Sequence, residues 1–209
     1  MIRNLWFDMG GVVFRQDSEE AFLRFRAAGI DPERYMGAYG QKEFFLDLES
    51  GRIDREEFCR RMARAAGREE VELDQARHCW LGFVRDVPTE RLRHLLELRR
   101  EYRLCLLSNT NPFAMEFARS DRFSTDGRPI TDYFDRLFCS YEMGICKPDP
   151  EFFRRVLAAE GVRAEETVFV DDSLKNVRAA EEVGIRGLHV ETNAEWWEPL
   201  TELLQESEL

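Results

Sequence analysis

The sequence predicts an α/β fold: a Rossmann-like parallel sheet core with helices on both faces, plus an inserted α-helical cap. Three observations carry this expectation. From residue 88 onward, apolar runs alternate with helix-like segments, the pattern of a parallel sheet. Residues 17–87 show no clear β run and read as helices. Three apolar runs end abruptly in polar side chains, at the strand ends where open parallel sheets bind ligands.

The elements follow in order. Leu5-Trp6-Phe7 reads as a buried first strand that ends at Asp8, with Gly10 and Gly11 close behind. Asp17 to Ala28 is helix-like, and Asp31-Pro32-Glu33 opens a second helix with an Asp cap and Pro in the first turn. Phe44, Phe45 and Leu48 have helical spacing and are expected in the core of the cap. Ser50-Gly51 breaks the chain. Asp54 with Glu57 resembles a capping box for a helix to Ala66. A further helix runs from Val71 to Val84 and stops before Pro88.

Beyond it, Arg103 to Ser108 is a buried strand, and Asn111-Pro112 opens a helix. Residues 119–131 are polar and Gly/Pro-bearing, a surface loop. Leu137 to Cys139 is a short strand. Asp149-Pro150 opens a helix that runs to Glu160. Thr167 to Asp171 is a strand, and Ser173 to Val183 a helix ended by Gly184. Gly187 to Val190 is the last strand, before a closing helix rich in Glu and Leu. The core is therefore assigned to residues 1–16 and 88–209, and the cap to residues 17–87.

Composition narrows the function. At 209 residues the chain can build one core with a small accessory domain. The net charge of −11 argues against nucleic acid or an anionic membrane as partner. No apolar run approaches the ~20 residues of a membrane helix, and no leader is read, so a cytoplasmic protein is expected. Five cysteines, at 59, 79, 105, 139 and 146, form no C-x-x-C pair and read as reduced thiols. His78, His94 and His189 lack metal-ligand spacing. Only three lysines occur, Lys42, Lys147 and Lys175, so each stands out.

The strand ends carry the chemistry. Asp8, Ser108-Asn109-Thr110 and Asp171-Asp172 each close a strand, and Lys147 precedes a helix in Gly144-Ile145-Cys146-Lys147-Pro148-Asp149-Pro150. Taken singly, each has an ordinary explanation as a turn former, a helix cap or a solvated side chain. Together, in order, on one rim, they point to a site.

These motifs resemble those of the haloacid dehalogenase superfamily of hydrolases, subfamily IA-like. Its first motif is matched by Phe7-Asp8-Met9-Gly10-Gly11-Val12 and its second by Leu106-Leu107-Ser108-Asn109-Thr110. Lys147-Pro148 matches the third, and Asp171-Asp172 with Asn176 the fourth. The inserted bundle resembles the family's helical cap. The resemblance implies a metal-dependent phosphatase acting on a small phosphorylated metabolite, with a sugar phosphate among the expected substrates, through an aspartyl-phosphate intermediate. It implies Asp8 as nucleophile, with Ser108, Asn109 and Lys147 holding phosphate. Mg²⁺ would be bound by Asp8, the main-chain oxygen of Gly10, and Asp172. Asp171 and Asn176 would support these ligands, with Asn176 orienting Asp172 from one helical turn away.

One position departs from the pattern. Most phosphatases of the superfamily carry a second Asp two residues after the first, where this chain has Gly10. General acid–base help is worth ~10²–10⁴ in rate. Either the substrate needs little help, as sugar 1-phosphates, acyl or aryl phosphates do, or another acid such as Asp17 substitutes, or the chain is not a phosphatase. The first motif is similar in this respect to a subgroup that includes bacterial α-glucose-1-phosphate phosphatases. The rivals are a 2-haloacid dehalogenase-type hydrolase and a non-catalytic phosphometabolite-binding member of the same fold. In the cap, Glu43, Phe44 and Arg52 could reach a sugar ring, but packing and solvation explain them better, and none is assigned to the site. Substrate, oligomeric state and any replacement for the missing acid stay open.

Overall fold

The computed structural model describes residues 1–37 and 40–207. The first strand, β1 (Asn4–Phe7), leads through a short β2 (Arg15–Gln16) into helices α1 (Ser18–Ala27) and α2 (Pro32–Tyr35). Two short strands follow, β3 (Met36–Gly37) and β4 (Gly40–Gln41). Then come α3 (Glu43–Glu49), α4 (Arg55–Ala65) and α5 (Leu73–Leu81). The chain returns through β5 (Val84–Asp86) to α6 (Thr89–Leu98), β6 (Arg103–Ser108) and α7 (Pro112–Ala118). It continues with β7 (Arg136–Cys139), α8 (Ser140–Met143), α9 (Pro150–Glu160) and β8 (Thr167–Asp171). It closes with α10 (Leu174–Glu182), β9 (Arg186–His189) and α11 (Trp197–Glu206).

Five strands form one parallel sheet in the order β7-β6-β1-β8-β9. The order runs one way from β1 to β7 and the other way from β8 to β9. The reversal lies between β1 and β8, the switch point where doubly wound sheets open a crevice. The strands are buried on both faces. On one face Leu5, Phe7, Leu106 and Val170 pack under Leu95 and Trp196. On the other, Trp6, Leu107 and Phe169 pack under Phe152, Phe153 and Ala180.

Residues of the 17–87 stretch have an aromatic cluster of their own. Phe45 of α3 lies 5.2 Å from Phe25 of α1, 5.1 Å from Phe58 of α4 and 5.4 Å from Trp80 of α5, ring to ring. Such contacts add ~0.5–1.5 kcal/mol each beyond area burial. Phe113 of α7 joins the cluster, 5.9 Å from Phe58, and seats it on the sheet-bearing part.

Helix starts follow the expected caps. Asp17, Asn111 and Asp149 each accept a backbone N–H from the first turn of the following helix. Asp54 accepts from the N–H of Glu57 at 2.7 Å, but the Glu57 carboxylate pairs with Arg60 and Arg61, so only half of the capping box forms. The helix expected over 71–84 is shorter, because Val84 already belongs to β5. Short strands also occur where none was expected. β2 pairs antiparallel with β5, and β3 with β4. Two or three residues are too few to show a period of two. The stretch 119–131 is not wholly surface: Phe123 and Ile130 are buried, with Phe123 packed against Phe117 and Tyr133. All five cysteines are free thiols. Among the described residues no helix is long and apolar enough to cross a membrane.

Arg91 of α6 is fully buried and ties the loop after β1 to the segment before α11. Its guanidinium donates to the carbonyls of Gly11, Val12, Asn193 and Ala194 and to the Glu195 carboxylate. A planar five-donor fork can meet five acceptors at once, and an ammonium cannot. Arg91→Met therefore leaves several acceptors unpaired and should destabilise the protein by ~3–5 kcal/mol. Arg91→Lys should recover only a minor part. Urea unfolding of the three proteins measures this, and wild-type stability in Arg91→Met would refute it.

Candidate active site

The carboxyl ends of β1, β6 and β8 meet at the switch point. Each strand delivers one polar group there because its buried run stops at the sheet edge. Asp8 follows β1, its N–H donating to Val170 O at 2.9 Å. Ser108 ends β6 and Asp171 ends β8. Lys147 enters from the loop between α8 and α9, just before a cis Lys147–Pro148 peptide.

Lys147 is the centre of this arrangement. Its Nζ donates to Asp8 Oδ1 at 2.7 Å, to Asp171 Oδ2 at 2.7 Å and to Leu107 O at 2.8 Å. All three ammonium N–H groups are therefore committed. The lysine side chain is 1% exposed and that of Asp171 is 0% exposed. Burial alone would push the ammonium toward neutrality, but Asp171 and Asp8 outweigh it and raise its pKa above the ordinary lysine value. Asn109 fixes the lysine backbone. Its amide accepts from Lys147 N at 2.8 Å and donates to Lys147 O at 2.7 Å. The side chain of Asn109, expected on phosphate, is thus spent on positioning Lys147, although the residue lines the cavity.

Asn176 also departs from expectation. It donates to both oxygens of Asp171 at 3.1 Å, not to Asp172. Asp172 is held instead by Thr192 Oγ1 at 2.6 Å and by Gln16 Nε2 at 3.4 Å. Ser108 is buried, and its hydroxyl has only a 3.4 Å contact to Asn109 O, which leaves it available to a ligand.

Carboxylate oxygens of Asp8, Asp171 and Asp172 lie within 4.8 Å of one another. One ammonium against three carboxylates leaves two negative charges in a largely dry place. Burial pushes Asp8 up to about 7, against the pull of Lys147 and with the help of Asp171 and Asp172. Burial raises Asp172 as well. A cluster of hard oxygen donors with two surplus charges fits a small divalent cation. Asp8 and Asp172 would be its side-chain ligands, since Asp171 is engaged by Lys147, Asn176 and the N–H of Ser173.

The two glycines differ. Gly11 has φ +78°, and a Cβ there would run into the Asp172 carboxylate, so glycine is required. Gly10 has no such constraint. A Cβ on Gly10 would stand 3.2 Å from Gln16 Oε1, so the Gln16 amide borders the space a side chain at position 10 would enter. Asp17 caps α1 through the N–H of Glu20 and does not line the cavity.

A cavity of about 210 Å³ opens over this cluster. Its floor includes Asp8, Gly10, Ser108, Lys147 and Asp172, and its opposite wall includes Gln41, Glu49, Trp80 and Phe83. The wall residues, with Gln16, were not singled out from the sequence. Conversely, Glu43 pairs with Arg34, Arg52 pairs with Asp47, Phe44 is buried in the aromatic cluster, and none of the three lines the cavity.

Comparison with known proteins gives a consistent picture. A protein-family profile for haloacid dehalogenase-like hydrolases matches residues 2–184. The chain is 38% identical over 205 residues to D-ribitol-5-phosphate phosphatase of Bacteroides thetaiotaomicron, covering 98% of this chain and 99% of that protein. It superposes with a TM-score of 0.93 on a HAD-like family hydrolase from Porphyromonas gingivalis, at 38% identity and 98% coverage of both chains. A wild-type HAD-family enzyme of Bacteroides thetaiotaomicron, solved with magnesium and inorganic phosphate, gives 0.86 at 34% identity, covering 95% of this chain and 99% of that one.

Protons and a cation should compete for Asp8. Its carboxyl titrates about 7 without a cation, so below that pH a proton occupies the site and above it the carboxylate is open. Mg²⁺ affinity measured by titration calorimetry should rise by about tenfold from pH 6 to pH 8, with proton release near pH 6. Equal affinity at both values would show that cation binding displaces no proton from Asp8.

Proposed function

Because the chain belongs to the haloacid dehalogenase-like hydrolase family, we propose that it is a Mg²⁺-dependent phosphatase of small phosphorylated metabolites. The observation that carries this reading is the charge arrangement at the switch point. A nucleophilic carboxylate, Asp8, shares one buried ammonium with Asp171, beside a surplus of negative charge that suits a divalent cation. The similarity to a D-ribitol-5-phosphate phosphatase supports a sugar or polyol phosphate as substrate.

In this reading Asp8 attacks phosphorus, the ester P–O bond breaks, and the phosphoryl group rests on Asp8 as an acyl phosphate. Water then hydrolyses it, returning Asp8 and releasing phosphate. Asp8, the main-chain oxygen of Gly10, and Asp172 would hold Mg²⁺, which supplies positive charge between two anions. Lys147 orients Asp8 and lowers the repulsion it presents to phosphate. Ser108 turns its hydroxyl to a phosphate oxygen. Asp171 and Asn176 hold Lys147 in place, and Asn109 holds its backbone. Residues 17–87 act as a cap over residues 1–16 and 88–209, supported by their separate aromatic cluster and their place on the cavity wall. Five free thiols fit a cytoplasmic setting. A cation-free dehalogenase would leave unopposed the negative charge of Asp8, Asp171 and Asp172 that Lys147 alone does not balance.

The proton for the leaving oxygen has no carboxyl donor at position 10. Gln16, beside that space, can hydrogen-bond but does not titrate.

Phosphate release from ribitol 5-phosphate, glucose 1-phosphate and p-nitrophenyl phosphate should require both Mg²⁺ and Asp8. Asp8→Asn should lower kcat by at least ~10³. Retained turnover in that variant, or in chelator, would refute the mechanism. Gly10→Asp should fold, since its only close neighbour is the mobile end of Gln16. Its kcat on ribitol 5-phosphate should rise up to ~10², with little change on p-nitrophenyl phosphate, whose leaving group needs no proton. An equal change on both would show that acid catalysis is not what position 10 lacks.

A further inference from the structure

Residues on the cavity wall opposite Asp8 carry polar atoms that lack a partner among the described residues. Gln41 Oε1 and Trp80 Nε1 are buried with no hydrogen-bond partner among the described residues. Glu49, at the end of α3, is 8% exposed, and its carboxyl receives one long contact, 3.5 Å from Gln41 Nε2. Native proteins rarely leave such groups without partners. All three residues line the cavity over Asp8. An orphan donor, an orphan acceptor and an under-bonded carboxyl are satisfied together by hydroxyl groups, which donate and accept at once. Among the described residues the only cation lining the cavity is Lys147, and it is committed to Asp8 and Asp171.

We propose that Gln41, Glu49 and Trp80 form a subsite that reads the hydroxyl groups of an uncharged polyol or sugar portion of the substrate. The proposal rests on the phosphatase reading for the phosphate end, and adds the residues that select the other end. A second anionic group on the substrate is rejected, because it would meet Glu49 with no cation to offset it.

The test compares three compounds: ribitol 5-phosphate, 3-phosphoglycerate with its carboxylate, and p-nitrophenyl phosphate without hydroxyls. Wild type should prefer the first over the second by at least ~10²-fold in kcat/KM. Glu49→Leu should raise KM for ribitol 5-phosphate by ~10-fold or more while kcat/KM for p-nitrophenyl phosphate stays within about twofold. Trp80→Phe keeps an aromatic ring of smaller size, removes the N–H and should give a smaller loss of the same pattern, which guards against a folding defect in Glu49→Leu. Equal losses on ribitol 5-phosphate and p-nitrophenyl phosphate, or none on the former, would overturn the subsite. If wild type releases phosphate from none of the three, the phosphatase reading has failed. Calorimetric binding of ribitol 5-phosphate to Asp8→Asn then decides the subsite separately. A tenfold weaker affinity on adding Glu49→Leu or Trp80→Phe upholds it, and no binding, or binding indifferent to both, overturns it.

Discussion

The buried ammonium of Lys147 is the constraint on which the site depends. It holds Asp8 after one strand, Asp171 at the end of the next strand in the sheet, and a carbonyl on the strand at the other side. Without it, three carboxylates would crowd a dry pocket. A charge in this position is tolerable only when paired and fully hydrogen-bonded, and here every proton on it has a partner. The scaffold is arranged around that requirement. β1 lies between β6 and β8 in the sheet, so their carboxyl ends surround one point. Asn109 then clamps the lysine backbone, so the loop between α8 and α9 cannot drift from the strand ends.

This design separates holding from reacting. Asp171 and Asn109 are engaged in fixing Lys147, and Asn176 in holding Asp171, whereas Asp8, Asp172 and Ser108 keep capacity directed at the cavity. The division explains why an acidic pair is needed after β8. The first member is structural and saturated. The second hangs over the pocket on Thr192 and Gln16, close to Gly11, where any side chain would run into it.

Much of this was legible in the chain. Asp8, Ser108 and the Asp171-Asp172 pair were readable because a buried strand that stops at a polar residue announces its carboxyl end, and Lys147 because it is one of only three lysines and precedes a helix start. The core strands were readable because runs buried on both faces are nearly continuous in apolar residues. The rest escaped for physical reasons. Helical spacing pairs Asn176 with Asp172, but the turn at Ser173 brings Asn176 to Asp171 instead. Glu49 sits among acidic residues that look like a solvated face, and only tertiary packing buries it. Arg91 lies in a helix beside the exposed Arg93 and shortly before the exposed Arg99 and Arg100, and nothing local marks it as the one that enters the core. Strands β2 and β5 are too short to leave a pattern.

β2 carries the chain out of the sheet-bearing part, and β5 brings it back, and they lie side by side. Everything between them therefore hangs from a paired stem whose ends are neighbours. Such an insertion can be lengthened, replaced or lost without moving β1 or β6. Evolution can thus revise the cavity wall this insertion supplies while leaving the lysine and its carboxylates untouched. One reaction centre can in this way serve a lineage of enzymes that differ only in what they admit.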